Sequence, residues 1–126
     1  MNTHTDRPVF LDLRKVHWPV MAFVSGLHRA SGVLMVLLLP VLVYLFELSL
    51  RNEQGFQAVI DLLQSLPARV LAVLLVWLLA HHFFAGIRFL LLDIDLGVEK
   101  TEVRKTAWMV HVAAIIATLL VIGGML

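Results

Sequence analysis

The stretch ARVLAVLLVWLLAHHFFAGIRFLLL, from Ala68 to Leu92, decides the fold of this chain. Between Arg69 and His81 it contains no charged residue. A helix of this length rises about 37 Å, which is enough to cross a bilayer core of about 30 Å. The same stretch carries His81, His82 and Arg88. An ionisable group at membrane depth costs roughly 3 kcal/mol and usually marks a functional site, so this helix predicts both a membrane span and a site.

Two further apolar segments have membrane length, and together the three segments predict an all-α membrane protein with three transmembrane helices. The predicted division is an N-terminal arm (1–20), helix one (21–48), a connector (49–67), helix two (68–92), a second connector (93–105) and helix three (106–126). In the first connector, apolar residues recur at helical spacing, which predicts a short amphipathic helix lying at the membrane interface. They are Phe56, Val59, Ile60, Leu62 and Leu63.

The distribution of lysine and arginine predicts the orientation of the helices. The N-terminal arm carries Arg7, Arg14 and Lys15, and the second connector carries Lys100, Arg104 and Lys105. The first connector region has only Arg51 and Arg69, and the C-terminal end has neither residue type. We therefore expect the N-terminus and the second connector to face the cytoplasm. The polar residues of helices one and two then lie in the cytoplasmic half of the membrane.

The composition excludes several classes of function. Hydrophobic residues make up 60% of the chain, and the mean hydropathy is +0.91, which is far above a soluble domain of this size. The net charge of +1 gives no indication of nucleic-acid binding. The absence of cysteine excludes disulfides, thiolate-bound iron–sulfur clusters and covalent haem attachment within this chain. The N-terminus lacks the apolar core and cleavage site of a signal peptide.

Two histidine–glycine pairs predict a haem site. His82 and Gly86 are four residues apart on helix two, and His28 and Gly32 repeat this spacing on helix one, so each pair shares a helix face. A haem without covalent attachment is held by axial ligands and packing, and a glycine leaves room for a flat macrocycle. The alternative is that the small residues serve helix packing and that the histidines bond to a neighbouring helix.

The arginines and a serine suggest ligands with oxygen atoms. Arg29 and Arg88 suit the carboxylates of haem propionates. The alternative for Arg29 is that its side chain extends along the helix to water at the membrane interface. For Arg88, an ion pair with Asp93 or Asp95 is the preferred interpretation. Ser25 shares a face with Arg29, and the two side chains can donate hydrogen bonds to a quinone carbonyl.

The remaining histidines are weaker candidates. His111 is interpreted as a helix contact in helix three, His17 as interfacial, and His4 as part of the polar arm. The sequence contains no Gly-rich phosphate loop, nucleophile motif or carboxylate pair, so no catalytic residue is assigned to this chain.

Taken together, these residues resemble the cytochrome b subunit of bacterial succinate dehydrogenase, the larger membrane anchor of respiratory complex II. The matching motifs cover nearly the whole chain. They are Arg7-Pro8-Val9-Phe10-Leu11-Asp12-Leu13, Ser25-x-x-His28-Arg29-x-Ser31-Gly32 and His82-x-x-x-Gly86-Ile87-Arg88-x-x-x-x-Asp93.

The resemblance implies a function. Such a subunit anchors a flavoprotein, which carries FAD, and an iron–sulfur protein to the bacterial inner membrane as a multi-pass protein. It shares a haem b with a second small anchor subunit, and each anchor contributes one axial histidine. His82 falls on the ligand position, His28 and Arg29 on residues that contact the haem propionates, and Ser25 and Arg29 on ubiquinone-site residues. Succinate is oxidised in the flavoprotein, and the rest of the quinone site, including a tyrosine, comes from partner chains.

The sequence departs from the family pattern at two positions. Phe89 stands where the family often has histidine, which removes or moves any role of that side chain. His81 precedes His82 and competes for the ligand assignment. Adjacent helix positions point about 100° apart, so both cannot face one iron, and the spacing to Gly86 favours His82.

Three other functions compete with this hypothesis. A haem-free structural anchor would use the histidines only as hydrogen-bonding groups between helices. A quinol:fumarate reductase anchor would use similar parts for the reverse electron flow. A small transporter or proton-conducting subunit would need polar groups through the whole membrane, whereas helix three offers only His111.

Overall fold

The computed structural model describes Lys15 and residues 17–125, and it is helical almost throughout. The N-terminal motif from Arg7 to Leu13, with Arg14 and His4, lies outside the described residues. The elements are α1 (Val20–Arg51), α2 (Glu53–Gln64), α3 (Leu66–Asp93) and α4 (Lys100–Met125).

Three helices of the described chain are long and apolar enough to cross a membrane. They are Val20–Arg51, Leu66–Asp93 and Lys100–Gly124. The prediction of an all-helical chain with three membrane-length segments is therefore confirmed. The cytoplasmic position of the N-terminus and the membrane boundaries stay predictions.

The short helix between the first two spans exists as α2, and its interfacial position stays a prediction. Its start is fixed by Asn52, whose side-chain oxygen accepts a hydrogen bond from the Gly55 backbone N–H at 2.8 Å. Gly55 also approaches the backbone oxygen of Leu48 so closely that any Cβ at this position would collide with it. A glycine is therefore required where α2 folds back against the end of α1.

The turn between α3 and α4 closes with two residues in the left-handed region. Asp95 has φ 60° and Gly97 has φ 73°, and both residue types tolerate this conformation. The Leu96 N–H donates to the Leu91 oxygen at 3.0 Å and caps α3. Helix α4 begins at Lys100, six residues before the predicted third span. The second half of the charged connector is therefore part of this helix.

The three long helices pack against one another, and the core lies where they meet. Small residues permit this close approach, as is common in membrane helices: Ala85 and Ala107 are fully buried beside Val24 and Val110. Most other large apolar side chains are exposed, for example Leu37 at 68% and Leu120 at 72%. Such a surface suits lipid and partner helices. The buried polar residues Ser31, His81, Arg88 and Thr118 are therefore the exceptions that need an account.

Candidate functional site

The two histidine–glycine pairs meet each other across α1 and α3. The rings of His28 and His82 are stacked, with centroids 4.1 Å apart and planes 12° from parallel. A Cβ added at Gly32 would lie 3.1 Å from Cε1 of His82, and one added at Gly86 would lie 3.5 Å from Nε2 of His28. Gly32 therefore makes room for the His82 ring, whereas Gly86 meets the His28 ring at an ordinary contact distance. The macrocycle predicted beside Gly86 stays a prediction.

One edge of the His82 ring is held by hydrogen bonds. Its Nδ1 lies 3.0 Å from the backbone oxygen of His28 and 3.1 Å from Oγ of Ser31. The Ser31 hydroxyl donates to the same His28 oxygen at 2.9 Å. Nε2 of His82 makes no hydrogen bond with any described residue. One ring nitrogen is thus tied to α1 while the other stays available.

His81 points in a different direction and is fully buried. Its ring lies 5.0 Å from the ring of His111 and 5.8 Å from that of Trp77. Neither Nδ1 nor Nε2 of His81 has a hydrogen-bond partner within the described part of the chain. His81 is therefore enclosed between helices, where a ligand outside the bundle cannot reach it.

His111 is a helix contact, as its position in the sequence indicated. Its ring packs 6.0 Å from Phe23 of α1, and it faces His81 of α3. The pairing of His111 with His81 was not predicted, because nothing in the sequence specifies which residue of α4 faces α3 at this level.

Ser25 and Arg29 lie on one face of α1, beside the His28–His82 pair in sequence. Nε of Arg29 donates to the backbone oxygen of Ser25 at 3.4 Å. Arg29 is exposed, whereas Ser25 is half-buried. A cationic donor and a hydroxyl are therefore available side by side on the outer surface of the helix.

The preferred ion pair of Arg88 with Asp93 or Asp95 is wrong. Arg88 is only 6% exposed, and it donates to Oγ1 of Thr106 and to the Val103 backbone oxygen, each at 3.1 Å. Asp93 lies five residues further along α3, which places it about 140° around the helix from Arg88. Arg88 instead joins α3 to the first turns of α4.

Phe89 contributes an aromatic contact at the position where histidine was expected from the family pattern. Its ring meets the His28 ring edge-on, with centroids 5.2 Å apart. It therefore packs against His28 and offers no titratable group.

Within the described residues, no three histidine or carboxylate side chains converge in a way that would hold a metal ion. The chemistry offered here is that of single imidazole donors. One such donor can bind an iron that has further ligands of its own.

The comparisons with known proteins concern the family of the chain and do not bear on the individual site residues. Residues 3–121 match the family model described as succinate dehydrogenase/fumarate reductase transmembrane subunit. The chain is also similar to the succinate dehydrogenase cytochrome b556 subunit of Coxiella burnetii, with 36% identity over 118 residues. That match covers 90% of this chain and 92% of the relative.

Proposed function

Since the chain belongs to the family of succinate dehydrogenase/fumarate reductase transmembrane subunits, we propose that it binds haem b and forms part of a ubiquinone-reduction site. The chain is then a membrane anchor of succinate:ubiquinone oxidoreductase, in the respiratory chain and the tricarboxylic acid cycle. Electrons would arrive from a partner iron–sulfur subunit. Succinate would be oxidised in the flavoprotein, so this chain supplies no residue to that reaction.

The observation that carries the haem proposal is the hydrogen bonding of the two ring nitrogens of His82. A histidine that binds a metal through one nitrogen usually donates its other N–H to a carbonyl or a similar acceptor. His82 meets this condition, because Nδ1 faces the His28 oxygen while Nε2 stays available. His81 does not meet it, because it is enclosed and neither nitrogen has a partner among the described residues. His82 is therefore the proposed axial ligand, and the second ligand would come from the other small anchor subunit.

Bound haem b would accept and release single electrons, and bis-histidine ligation leaves no open position on the iron for oxygen. The residues of α1 would hold the polar edge of this group. Arg29 suits a propionate because its guanidinium is exposed and permanently charged. His28 would assist from the same turn, where its ring already packs on His82.

Ser25 and Arg29 would also form this chain's part of the quinone site. Both are donors on one face near the predicted cytoplasmic end of α1, and such donors can form hydrogen bonds to a quinone carbonyl. The resemblance implies that a tyrosine and other groups come from partner chains. The excess of lysine and arginine in the N-terminal arm and in the second connector supports a cytoplasmic position of both segments. The resemblance implies the bacterial inner membrane, with the partner iron–sulfur and flavoprotein subunits on the cytoplasmic side.

The test is a matched pair of substitutions, His82→Ala and His81→Ala, in the purified complex. We expect His82→Ala to abolish or strongly weaken the dithionite-reduced b-type absorption band and to lower the haem content. His81→Ala should retain both, because its ring is enclosed between helices. Retention of the partner subunits with this chain during purification checks that each complex has assembled, and succinate-dependent dye reduction checks that the flavoprotein is active. Normal haem content and an unchanged band in His82→Ala would refute the ligand assignment. A colourless wild-type complex would support the alternative of a haem-free structural anchor.

A further inference from the structure

We infer that Ser31 is a positioning residue for the haem ligand: with the backbone oxygen of His28, its hydroxyl holds His82 as the tautomer that leaves Nε2 free for iron. The inference rests on the proposed function, since it assigns a role in the same site. Three atoms carry it, namely Oγ of Ser31, the His28 oxygen and Nδ1 of His82. Their separations are 2.9, 3.0 and 3.1 Å.

The tautomer follows from the donors and acceptors of this triangle. A backbone carbonyl only accepts hydrogen bonds, so the 3.0 Å contact requires the proton to be on Nδ1 of His82. In a neutral imidazole, Nε2 then carries a lone pair instead of a proton. A metal binds that lone pair, so the protein selects the ligating form of His82 before any metal arrives.

The hydroxyl of Ser31 gives the Nδ1–H of His82 a second acceptor besides the His28 carbonyl oxygen. That oxygen has two lone pairs, and as a helix residue it already accepts the N–H of Gly32, four residues on. One lone pair then remains for two donors, the Ser31 hydroxyl and the His82 ring. Because the Ser31 hydroxyl proton points at that carbonyl, the Ser31 oxygen accepts from Nδ1 at 3.1 Å, and Nδ1–H is shared between the two oxygens.

The burial of Ser31 indicates that its hydroxyl does more than fill space. Ser31 has no solvent exposure, so a hydroxyl here cannot exchange its partners for water. Thr118 is a useful contrast, because this buried hydroxyl on α4 donates only to the Ala114 oxygen of its own helix, at 2.7 Å. Ser31 makes the equivalent bond within α1 and also contacts a ring on α3.

A hydrogen bond to Nδ1–H makes an imidazole a stronger electron donor, which favours ferric iron. We expect Ser31→Ala and Ser31→Cys to shift the midpoint potential of the haem and the electron paramagnetic resonance signal of its ferric form, because both variants change the hydrogen bonding of Nδ1–H. Cysteine is the sharper variant, because it keeps the volume while the thiol is a weak hydrogen-bonding group. Thr118→Val is the matched control, since it removes a buried hydroxyl that does not contact His82.

The experiment compares these variants with wild type and with His82→Ala in the purified complex. A shifted potential in both Ser31 variants, with no shift in Thr118→Val, supports the inference. Loss of haem from both Ser31 variants with full succinate-dependent dye reduction supports it as well. Full haem with unchanged potential and resonance signal overturns it, while the loss of haem in His82→Ala would still support the proposed function. Loss of the assembled complex in both Ser31 variants would assign Ser31 to folding and also overturn the inference.

Discussion

The rings of His28 and His82 stack across α1 and α3 at a centroid distance of 4.1 Å, with only 12° between their planes. Gly32 permits this close contact, because it lies beside Cε1 of the His82 ring, and Gly86 lies beside Nε2 of the His28 ring. The crossing of α1 and α3 therefore sets the orientation of the proposed ligand. Changes to these glycines should alter haem binding without changing any ligand.

Gly32→Ala should lower the haem content of the complex or shift its reduced absorption band. The added Cβ would lie 3.1 Å from Cε1 of His82, which is tighter than ordinary contact, so the ring must move by a few tenths of an ångström. Overpacking of this kind typically costs about 1–3 kcal/mol. The measurement is the ratio of haem to protein, together with the reduced-minus-oxidised spectrum.

Two other glycines of the chain provide graded controls for this prediction. Gly86→Ala should have a smaller effect, because its Cβ would lie 3.5 Å from Nε2 of His28, which is ordinary contact. Gly26→Ala should have none, since nothing lies within 4 Å of that Cβ. Equal spectra in all three variants would contradict the role of Gly32 in orienting His82.

His81→Leu should leave haem binding intact and stabilise the bundle. Leucine has a similar size, and the change removes two buried nitrogens that lack hydrogen-bond partners among the described residues. An unsatisfied buried polar group costs about 1–3 kcal/mol, so thermal inactivation should move to higher temperature. A lower temperature of inactivation would show that His81 has a stabilising partner, such as an internal water.

Hydropathy alone was enough to predict the three long helices, because a lipid-embedded helix must be apolar on most faces over about 20 residues. It was also predictable that the side chains of His81 and His82 point in different directions, because adjacent residues of a helix are rotated by about 100°. Which of them faces α4 was not predictable, because that depends on how α3 packs against the other helices. His81 turned out to face His111, thirty positions away in the sequence.

The prediction for Arg88 was wrong for the same reason, namely that its partners depend on how the helices pack. Asp93 and Asp95 were attractive partners because they are near in sequence, yet the helical rotation puts Asp93 on another face. The observed acceptors, Thr106 and Val103, lie on α4 and come into reach only when that helix docks. The hydrogen bond between Ser31 and His82 was missed for the same reason, since it joins α1 to α3 over 51 positions.

Arg88→Ala should weaken the joint between α3 and α4. The change removes two hydrogen bonds from a charged donor, and such bonds contribute about 1.5–3 kcal/mol each. Arg104→Ala is the matched control, because Arg104 is an exposed arginine of α4. The measurement is the thermal stability of the purified complex, where Arg88→Ala should unfold at a lower temperature than Arg104→Ala.

A double-mutant cycle with Thr106→Val separates the hydrogen bond from the packing of the arginine stem. Contacting residues typically couple by about 0.5–3 kcal/mol, so the double variant should lose less stability than the sum of the single variants. Strict additivity would show that the contact between Arg88 and Thr106 contributes nothing to stability.

Arg29→Gln should impair quinone reduction by roughly tenfold or more while leaving dye reduction by the flavoprotein largely intact. The change removes a charge-assisted hydrogen bond, and each 1.4 kcal/mol corresponds to about a tenfold change in rate. Ser25→Ala should act in the same direction with a smaller effect, because a neutral hydroxyl is a weaker donor than a guanidinium. The measurement is succinate:quinone reductase activity against succinate:dye activity in the same preparation.

These variants distinguish the two proposed roles of Arg29, a contact with a haem propionate and a hydrogen bond to the quinone. Loss of a propionate contact should disturb the haem spectrum of Arg29→Gln but not that of Ser25→Ala, because only Arg29 is assigned to both the haem and the quinone. Arg69→Gln is a matched control, since Arg69 is an exposed arginine near the start of α3, at the predicted opposite end of the bundle. An equal loss of quinone and dye reduction in Arg29→Gln would mean that the partner subunits no longer assemble, and would argue against a local role of Arg29 at the quinone.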